Sequence, residues 1–428
     1  MAALAGLMTS SIANEGAAPA AGEKRDMSAD AKLGDTHATI TPEKVAEMKA
    51  RIGMVTLHQP LLGENLTEAH FDTMKRYAIG IGDDNPLWCD PSYAATTRWK
   101  EPIAFPTYNV GGLEEGVPEG RQVMPKGDPL RGLHSFFVGA DTTYYRPIYG
   151  GDRTATLGVL ENVEEKVSEF SGRSVIVTYM NRVKNQRGDV VKVVRRPYIH
   201  TERGTAKKKE KLAWEATRYT EEDIAKIDAA YEAETRRGAE PLFWEDVNAG
   251  EVVPGVVKGP YTVKDWIAFC IGVGLFGAFG AGAWRMDYLN RKRVPKFYMP
   301  TADGIPKSAY ACHYDPEVAA TAGVPAPYDL GAMREAFLVH MLSNWIGDHG
   351  FVHRTFVEVR KFNYLGDVQW CGGQVTGKRR EGDLNIVDIE MWCDNQRGER
   401  TTKGTAAVLL PSRETGAVRL PDPPRDLP

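Results

Sequence analysis

Three stretches of the chain carry apolar side chains at helical spacing, at 41–52, 66–82 and 220–231. Each is predicted to form an amphipathic helix with one face turned towards a core. The first begins where Thr41 precedes a proline, since a threonine oxygen caps free backbone N–H groups and proline suits the first helical position. The second ends in Gly-Ile-Gly, because glycine takes a positive φ at little cost.

From residue 133 the pattern changes from helical spacing to an alternation of apolar and polar side chains. Three runs alternate in this way, at 134–152, 153–167 and 173–200, and are predicted to be β-strands. Glycine, asparagine and aspartate separate the runs, which predicts tight turns and therefore an antiparallel sheet.

The second half of the chain repeats the first. Residues 361–370 align with 146–155 and place a second Tyr-x-Gly-Asp turn at the same position. Likewise, 261–274 aligns with 66–82 as a helix ending in glycine, and a last strand closes the second copy. One internal repeat of this length predicts two related domains side by side, and it is not the pattern of a short-period solenoid.

These patterns divide the chain into five segments. A mobile arm is expected at the N-terminus, where small and polar residues leave too little apolar surface to offset the entropy of ordering. A charged helical linker is expected between the two domains. The predicted segments are the arm at 1–40, the first domain at 41–205, the linker at 206–242, the second domain at 243–412 with an insertion at 275–312, and a tail at 413–428.

Composition changes this picture mainly by exclusion. The 428 residues are 42% hydrophobic and 26% charged, as in an ordinary globular protein, and a net charge of −4 gives no reason to expect a nucleic-acid partner. The five cysteines are scattered and show no Cys-x-x-Cys spacing, which favours a reducing, cytoplasmic location over a disulfide framework or a zinc site. No membrane-spanning stretch is predicted, and no metal or other cofactor is expected.

Candidate chemistry lies in the loop at 77–90, YAIGIGDDNPLWCD, which follows the second predicted helix. This loop resembles the active-site signature of the MaoC-like acyl dehydratases and R-specific enoyl-CoA hydratases. The positions that match are Tyr77, Gly82, Asp83, Asn85, Pro86 and Asp90. Trp88 stands where the family has a histidine. Without the resemblance, Asp83 is equally typical of an aspartate that hydrogen-bonds its own loop.

The resemblance implies an α+β fold, a tandem or double hotdog, in which each half has a long central helix wrapped by a curled antiparallel sheet. The first half resembles the dehydratase of fatty-acid synthase. In the family, an aspartate and a histidine hold the water that is added to, or removed from, an acyl-CoA double bond. The second copy has Leu275 at the acid's position but His313 at the histidine's position. The implied catalytic pair is therefore Asp83 from one half and His313 from the other.

The resemblance also implies residues that bind the substrate. Asn85 and Trp88 belong to the signature loop, and Tyr108 in the following loop is a candidate wall of an acyl tunnel. Ordinary core packing explains a side chain such as Tyr108 at least as well. The backbone N–H of Gly331, where the second central helix begins, is a candidate donor to the thioester oxygen, because helix N-termini favour negative charge.

The implied function is a hydratase or dehydratase that interconverts 3-hydroxyacyl-CoA and enoyl-CoA. The glycine-rich and aromatic insertion suggests a bulky or unusual acyl group. A homo-oligomer that binds neither nucleic acid nor membrane is expected.

Two alternatives remain open: a non-catalytic acyl-binding or scaffold subunit, since neither half has an intact Asp–His pair, and a hotdog acyl-CoA thioesterase. His340 is interpreted as a core residue and His349 as a reserve catalytic candidate. Asp287 and Asp303 in the insertion are the acids to consider next.

Overall fold

The computed structural model describes residues 38–56, 66–168, 172–202, 215–274, 283–321, 323–425 and 427. Most of the predicted arm, the start of the linker and the start of the insertion lie outside these ranges. The described parts of both predicted domains belong to one compact unit. The predicted domain boundaries stay predictions.

The helices predicted from spacing are all present. The described helices are α1 (Pro42–Lys49), α2 (Phe71–Gly80), α3 (Pro86–Cys89), α4 (Pro91–Ala94), α5 (Glu221–Glu232), α6 (Val263–Gly272), α7 (Arg285–Arg293), α8 (Pro316–Thr321) and α9 (Gly331–Ile346). Thr41 caps α1 by accepting from the N–H of Lys44, and Thr220 forms a reciprocal cap with Asp223 at the start of α5. The starts of α1 and α5 therefore follow from local sequence alone.

Within the described residues, the strands form one eleven-stranded antiparallel sheet and a separate short hairpin. The described strands are β1 (Val55–Thr56), β2 (His134–Phe137), β3 (Gly139–Tyr144), β4 (Thr154–Ser168), β5 (Gly172–Asn185), β6 (Val190–Thr201), β7 (Val252–Lys258), β8 (Tyr298–Met299), β9 (Lys307–Ser308), β10 (Phe351–Val359), β11 (Gln369–Glu381), β12 (Leu384–Asn395) and β13 (Arg400–Leu409). The strand order is β1-β4-β5-β6-β3-β10-β13-β12-β11-β7, with β2 beside β6. Each half therefore has the same order, and the halves join where β3 pairs with β10.

The Tyr-x-Gly-Asp turns confirm the internal repeat at the level of hydrogen bonds. Asp152 and Asp367 are both buried, and each accepts from the backbone N–H three residues before it, at 2.9 and 3.0 Å. Arg187 donates to Asp152, and Arg397 donates in the same way to Asp367. Two turns with the same partners indicate two copies of one structural unit.

The α2 and α6 helices, which the repeat predicts to be equivalent, pack against each other at their last residues. A Cβ on Gly80 would lie 2.6 Å from the carbonyl oxygen of Ala268, and a Cβ on Gly272 would lie 2.8 Å from the Cα of Tyr77. Each helix therefore needs glycine where it meets the backbone of the other. This contact joins the two halves symmetrically.

A long central helix is present in the second half as predicted. It is α9, which is buried continuously from Met333 to Ile346 and contacts β7, β10, β11 and β12. No described helix is both long and apolar enough to cross a membrane.

The prediction of a long central helix in the first half is wrong. Among the described residues, 95–133 contain turns and isolated bridges where that helix was expected. Glycine and proline recur throughout this segment, and both residues disfavour a helix interior.

Candidate active site

Asp83 lies directly after α2, where Gly82 takes a φ of +73° and turns the chain. Its carboxylate is buried, and both oxygens have donors within the loop: Oδ1 accepts from the N–H of Asn85 at 2.9 Å, and Oδ2 from Nε1 of Trp88 at 2.8 Å. Trp88, at the histidine position of the signature, thus binds the acid directly. Asn85 in turn caps α3.

His340, on α9, approaches Asp83 from the second half of the chain. Its Nε2 lies 3.5 Å from Oδ1 of Asp83, and both side chains are fully buried. The same nitrogen is 3.1 Å from Oε1 of Glu234 and 3.1 Å from Nδ2 of Asn344. The interpretation of His340 as a buried residue is confirmed, but its contact with Asp83 was missed.

Lys258, at the end of β7, completes the network around the imidazole. Its Nζ lies 2.7 Å from Nδ1 of His340 and donates to the carbonyl oxygens of Ile81 and Gly82 at 2.9 and 3.1 Å. Lys258 thus holds the imidazole at Nδ1, while Nε2 faces the carboxylates of Asp83 and Glu234 and the side-chain amide of Asn344. Asp83 is therefore held beside an imidazole that the lysine binds at its other ring nitrogen.

Burial and charge act in opposite directions on the pKa values of two groups in this network. Burial lowers the pKa of Lys258, and the carboxylates of Glu234 and Asp83 only partly oppose this. Burial works to raise the pKa of Glu234, but the hydrogen bond and charge of His340, the charge of Lys258 and the hydrogen bond of Asn344 outweigh it and lower the pKa. The network therefore keeps Glu234 ionised next to His340.

His313 is buried in a different part of the second half. Its Nδ1 lies 2.8 Å from the carbonyl oxygen of Tyr328, and its ring packs edge-on against Tyr310 and Tyr328. Burial lowers the pKa of this imidazole. The described contacts of His313 and Asp83 have no residue in common, so the structure does not bring the predicted pair into contact. Their cooperation stays a prediction.

Gly331 lies at the N-terminal end of α9, next to the ring of Phe137. His340 is nine positions further along the helix, which is about 14 Å along the helix axis. The start of α9 and the surroundings of Asp83 are therefore separate regions. The predicted role of Gly331 as an oxyanion donor stays a prediction.

A cavity of about 50 Å³ lies between the signature loop and the C-terminal end of α9. Two of the predicted substrate-binding residues, Asn85 and Trp88, line it. The other lining residues include Trp99, Ile103, Phe105, Ile148, Ser343, Asp348 and Phe351. Tyr108 is not among the lining residues; its hydroxyl lies 2.9 Å from Oγ1 of Thr73. The cavity is mainly apolar, with a few polar groups, as small-ligand sites generally are.

The remaining candidates lie elsewhere. Asp287 accepts from the Tyr298 hydroxyl at 2.7 Å, and Asp303 pairs with Lys307 at 3.3 Å, both within the insertion. The reserve candidate His349 follows the end of α9 beside Asp348. Within the described ranges, no group of three or more His, Cys, Asp or Glu is arranged to hold a metal ion.

One sequence signal for the missed residues exists. His340, Asn344 and Asp348 recur every fourth residue along α9 and its end, in a segment that is otherwise largely apolar. Such spacing places polar side chains on one helix face and marks it as a possible polar site. Glu234 and Lys258 carry no such signal, because tertiary packing alone brings them to that face.

Comparison with known proteins identifies the class of fold. Residues 66–194 match the model of the FAS1-like dehydratase domain region. A solved MaoC-like dehydratase is 15% identical, covers 84% of this chain and 99% of its own, and has a TM-score of 0.55. No curated protein matches the chain in sequence.

Two further solved structures have lower TM-scores. A MaoC domain protein dehydratase from Chloroflexus aurantiacus is 11% identical, covers 85% of this chain and 96% of its own, and has a TM-score of 0.47. A conserved protein from Mycobacterium tuberculosis described as a double hotdog is 10% identical, covers 87% of this chain and 92% of its own, and has a TM-score of 0.36.

The comparisons confirm the resemblance to the MaoC-like dehydratases in fold, and the repeated strand order within the chain agrees with a tandem arrangement. The sequence match lies in the half that contains Asp83, and the structural likeness to the MaoC-like dehydratase spans both halves.

Proposed function

We propose that the chain is a hydro-lyase that interconverts 3-hydroxyacyl and enoyl thioesters of coenzyme A, with the acyl chain in the cavity between the halves. The match of residues 66–194 to a dehydratase domain supports this class of reaction. The observation that carries the proposal is the pairing of Asp83, at the acid position of the signature, with His340 at 3.5 Å. An imidazole from the second half thus stands beside the acid although Trp88 has replaced the histidine of the signature.

Hydration of an enoyl thioester needs one group to take a proton from water and another to protonate Cα. We assign these roles to Asp83 and His340; neither lines the cavity, but Asp83 is bound by two residues that do, Asn85 and Trp88. Trp88 both lines the cavity and donates to Asp83, so proton transfer requires its indole to leave the carboxylate when substrate enters. The Asp83–His313 pair implied by the family signature is the competing assignment.

Turnover of crotonyl-CoA and longer enoyl-CoAs, followed by the double-bond absorbance and by free thiol, tests the proposal. Asp83→Asn is expected to lower turnover by at least about 100-fold, because it removes the proton acceptor and keeps the shape. Asp72→Asn is the control, because this carboxylate is exposed in the first turn of α2, and turnover is expected to stay near wild type.

Two results would contradict the assignment. Near-wild-type turnover in Asp83→Asn excludes Asp83 as the reacting acid. Thiol release without loss of the double bond would instead identify a thioesterase.

A second candidate function is acyl-CoA binding without turnover. It is favoured by the two loop donors that already occupy both oxygens of Asp83, and by the indole that covers them. Under this candidate, the wild-type chain binds acyl-CoA but converts none of it. Trp88→His, which provides the histidine of the signature, is then expected to produce measurable hydration where the wild type shows none.

A further inference from the structure

The linker reaches both members of the proposed pair, Asp83 and His340, through the short segment 234–238 that follows α5. From this segment, Oε1 of Glu234 lies 3.1 Å from Nε2 of His340. Two residues later, Nη2 of Arg236 lies 3.9 Å from Oδ1 of Asp83. The segment therefore lies against the imidazole of the second half and against the acid of the first half.

The backbone of this segment is fastened to the C-terminal end of α9. The N–H of Arg237 donates to the carbonyl oxygen of Asn344 at 2.9 Å, and its Nε donates to that of Trp345 at 2.7 Å. The carbonyl oxygen of Gly238 accepts from the N–H of Asp348 at 2.9 Å. The last carbonyl groups of a helix have no partner within the helix, so the segment uses acceptors that the end of α9 leaves open. These bonds fix the place of the segment beside the helix.

The carboxylate of Glu234 is also fixed at its own oxygen. Oε1 accepts from Nδ2 of Asn344 at 2.9 Å, and Asn344 lies one turn after His340 on α9. The other ring nitrogen of His340, Nδ1, is bound by Lys258 at 2.7 Å. Contacts at both ring nitrogens restrict the imidazole to one orientation.

Glu234 is better placed than Asp83 to hold this ring. The distance of 3.1 Å from Glu234 to Nε2 is within the usual range of a hydrogen bond, whereas the distance of 3.5 Å from Asp83 is beyond it. Both oxygens of Asp83 already accept from donors in their own loop, Asn85 and Trp88. The orientation of the imidazole towards Asp83 therefore depends on the groups around it and not on Asp83 itself.

We propose that Glu234 is a positioning residue, whose carboxylate holds the imidazole of His340 with Nε2 towards Asp83. The inference rests on the proposed function for the reaction, and adds the group that prepares the pair for it. Small displacements of a reacting group slow a reaction strongly, so an orientation that is fixed before substrate binds favours turnover. Glu234 does not line the cavity, so its loss should change kcat and leave KM.

Steady-state turnover of crotonyl-CoA separates the position of the carboxylate from proton transfer. Glu234→Ala should lower kcat about tenfold or more and keep KM within about threefold of wild type. Glu234→Gln keeps an acceptor oxygen at the same place but cannot take a proton, so its kcat should stay within about threefold of wild type. Glu232→Ala is the matched control, because this glutamate ends α5 two residues earlier and is exposed.

The effect of Glu234 should also pass through His340. In the His340→Gln background, Glu234→Ala should change kcat by less than about twofold, because residues that act as one unit are not additive. If Glu234→Ala does not fold by circular dichroism, Glu234→Asp replaces it. Its side chain is one methylene shorter and should lower kcat at least about threefold.

The ring nitrogens of His340 give a readout that does not need turnover. In protein whose histidines carry an NMR-active nitrogen isotope, the signals of this ring are identified by their absence in His340→Gln. Glu234→Ala should shift them, and Glu232→Ala should not.

Three results would each overturn the inference: equal losses of kcat in Glu234→Gln and Glu234→Ala, an additive loss in the His340→Gln background, or unchanged ring signals in Glu234→Ala. The proposed hydro-lyase activity fails separately, through the absence of turnover in the wild type. A chain without turnover whose ring signals still shift in Glu234→Ala would refute the proposed reaction and retain Glu234 as the residue that orients His340.

Discussion

The two halves share a sheet order and a buried Gly-Asp turn, but they differ in what they place against the sheet. The second half has the long helix α9 and has Leu275 where the first half has an acid. The first half has Asp83 but no long helix within 95–133. The carboxylate of one copy lies against an imidazole on the helix of the other. The difference shows that two incomplete copies can supply complementary parts of one polar network.

The largest expected effect is a loss of turnover that shows which histidine of the second half acts together with Asp83. His340→Gln should lower turnover of crotonyl-CoA about 100-fold or more, and combining it with Asp83→Asn should cost little more, because groups that act as one unit are not additive. His313→Gln is the comparison and should leave most of the turnover. The opposite result would restore the Asp83–His313 pair predicted from the family signature.

The next effect tests how strongly α9 is anchored in the second half. Arg334 and Asp329 form a two-point ion pair at 2.8 Å, with both side chains only 1% exposed. Asp329→Ala leaves a buried charge and should lower the free energy of unfolding by about 3–5 kcal/mol.

Asp152→Ala is the comparison in the first half, where the ion-pair partner Arg187 is 51% exposed and therefore reached by water. Asp152→Ala should lower the free energy of unfolding by about 1–3 kcal/mol. Urea denaturation measures both variants. Equal costs would contradict the idea that the second half depends more on its buried pair.

A smaller effect tests the symmetry of the helix contact. Gly80→Ala and Gly272→Ala each place a methyl group against the backbone of the facing helix. Each should lower the free energy of unfolding by about 1–3 kcal/mol, and by similar amounts, as overpacking commonly does. Gly116→Ala is the control, because a Cβ there meets no atom within 4 Å. A cost in only one of the two helices would show that the contact is not symmetric in energy.

The smallest effect is a pH dependence at the cavity. The pKa of Asp348 is raised in the folded state, so the folded chain holds this proton more tightly than the unfolded chain. Stability from this group is present at low pH and is lost as the pH rises through the folded-state pKa. The charged or titratable groups that act on it are Tyr93, His349 and Arg236.

Asp348→Asn cannot titrate, so its stability relative to the wild type should rise as the pH increases above about 4, the pKa of an ordinary aspartate. Urea midpoints at several pH values measure this difference. A constant difference across the range would show that the Asp348 carboxyl has no raised pKa.

The sequence predicted those elements that are fixed by interactions between residues close together in the chain. The caps at Thr41 and Thr220 and the glycines after α2 fix those helix ends, and the signature places Asp83 at a buried turn. The double hotdog followed from the signature and the repeat together. The central helix predicted for the first half is absent from 95–133 because the glycines and prolines of this segment disfavour a helix interior.

The network around Asp83 could not be predicted from the sequence, for a different reason. Periodicity predicts that His340 is buried, but it does not say which side chain from another element faces it. Lys258 and Glu234 come from β7 and from the segment after α5, and only the folded arrangement brings them within 3.1 Å of the imidazole.

The pairing of β3 with β10 makes the halves one folding unit. Backbone hydrogen bonds run from Thr143 opposite Arg354 to Gly139 opposite Glu358, and Arg354 adds an ion pair with Asp141 at 2.7 Å. The chain should therefore unfold in a single calorimetric transition, although its sequence contains two copies of a domain. Either half produced alone would expose a strand edge in the middle of what is now a continuous sheet, and such edges pair with other copies and aggregate.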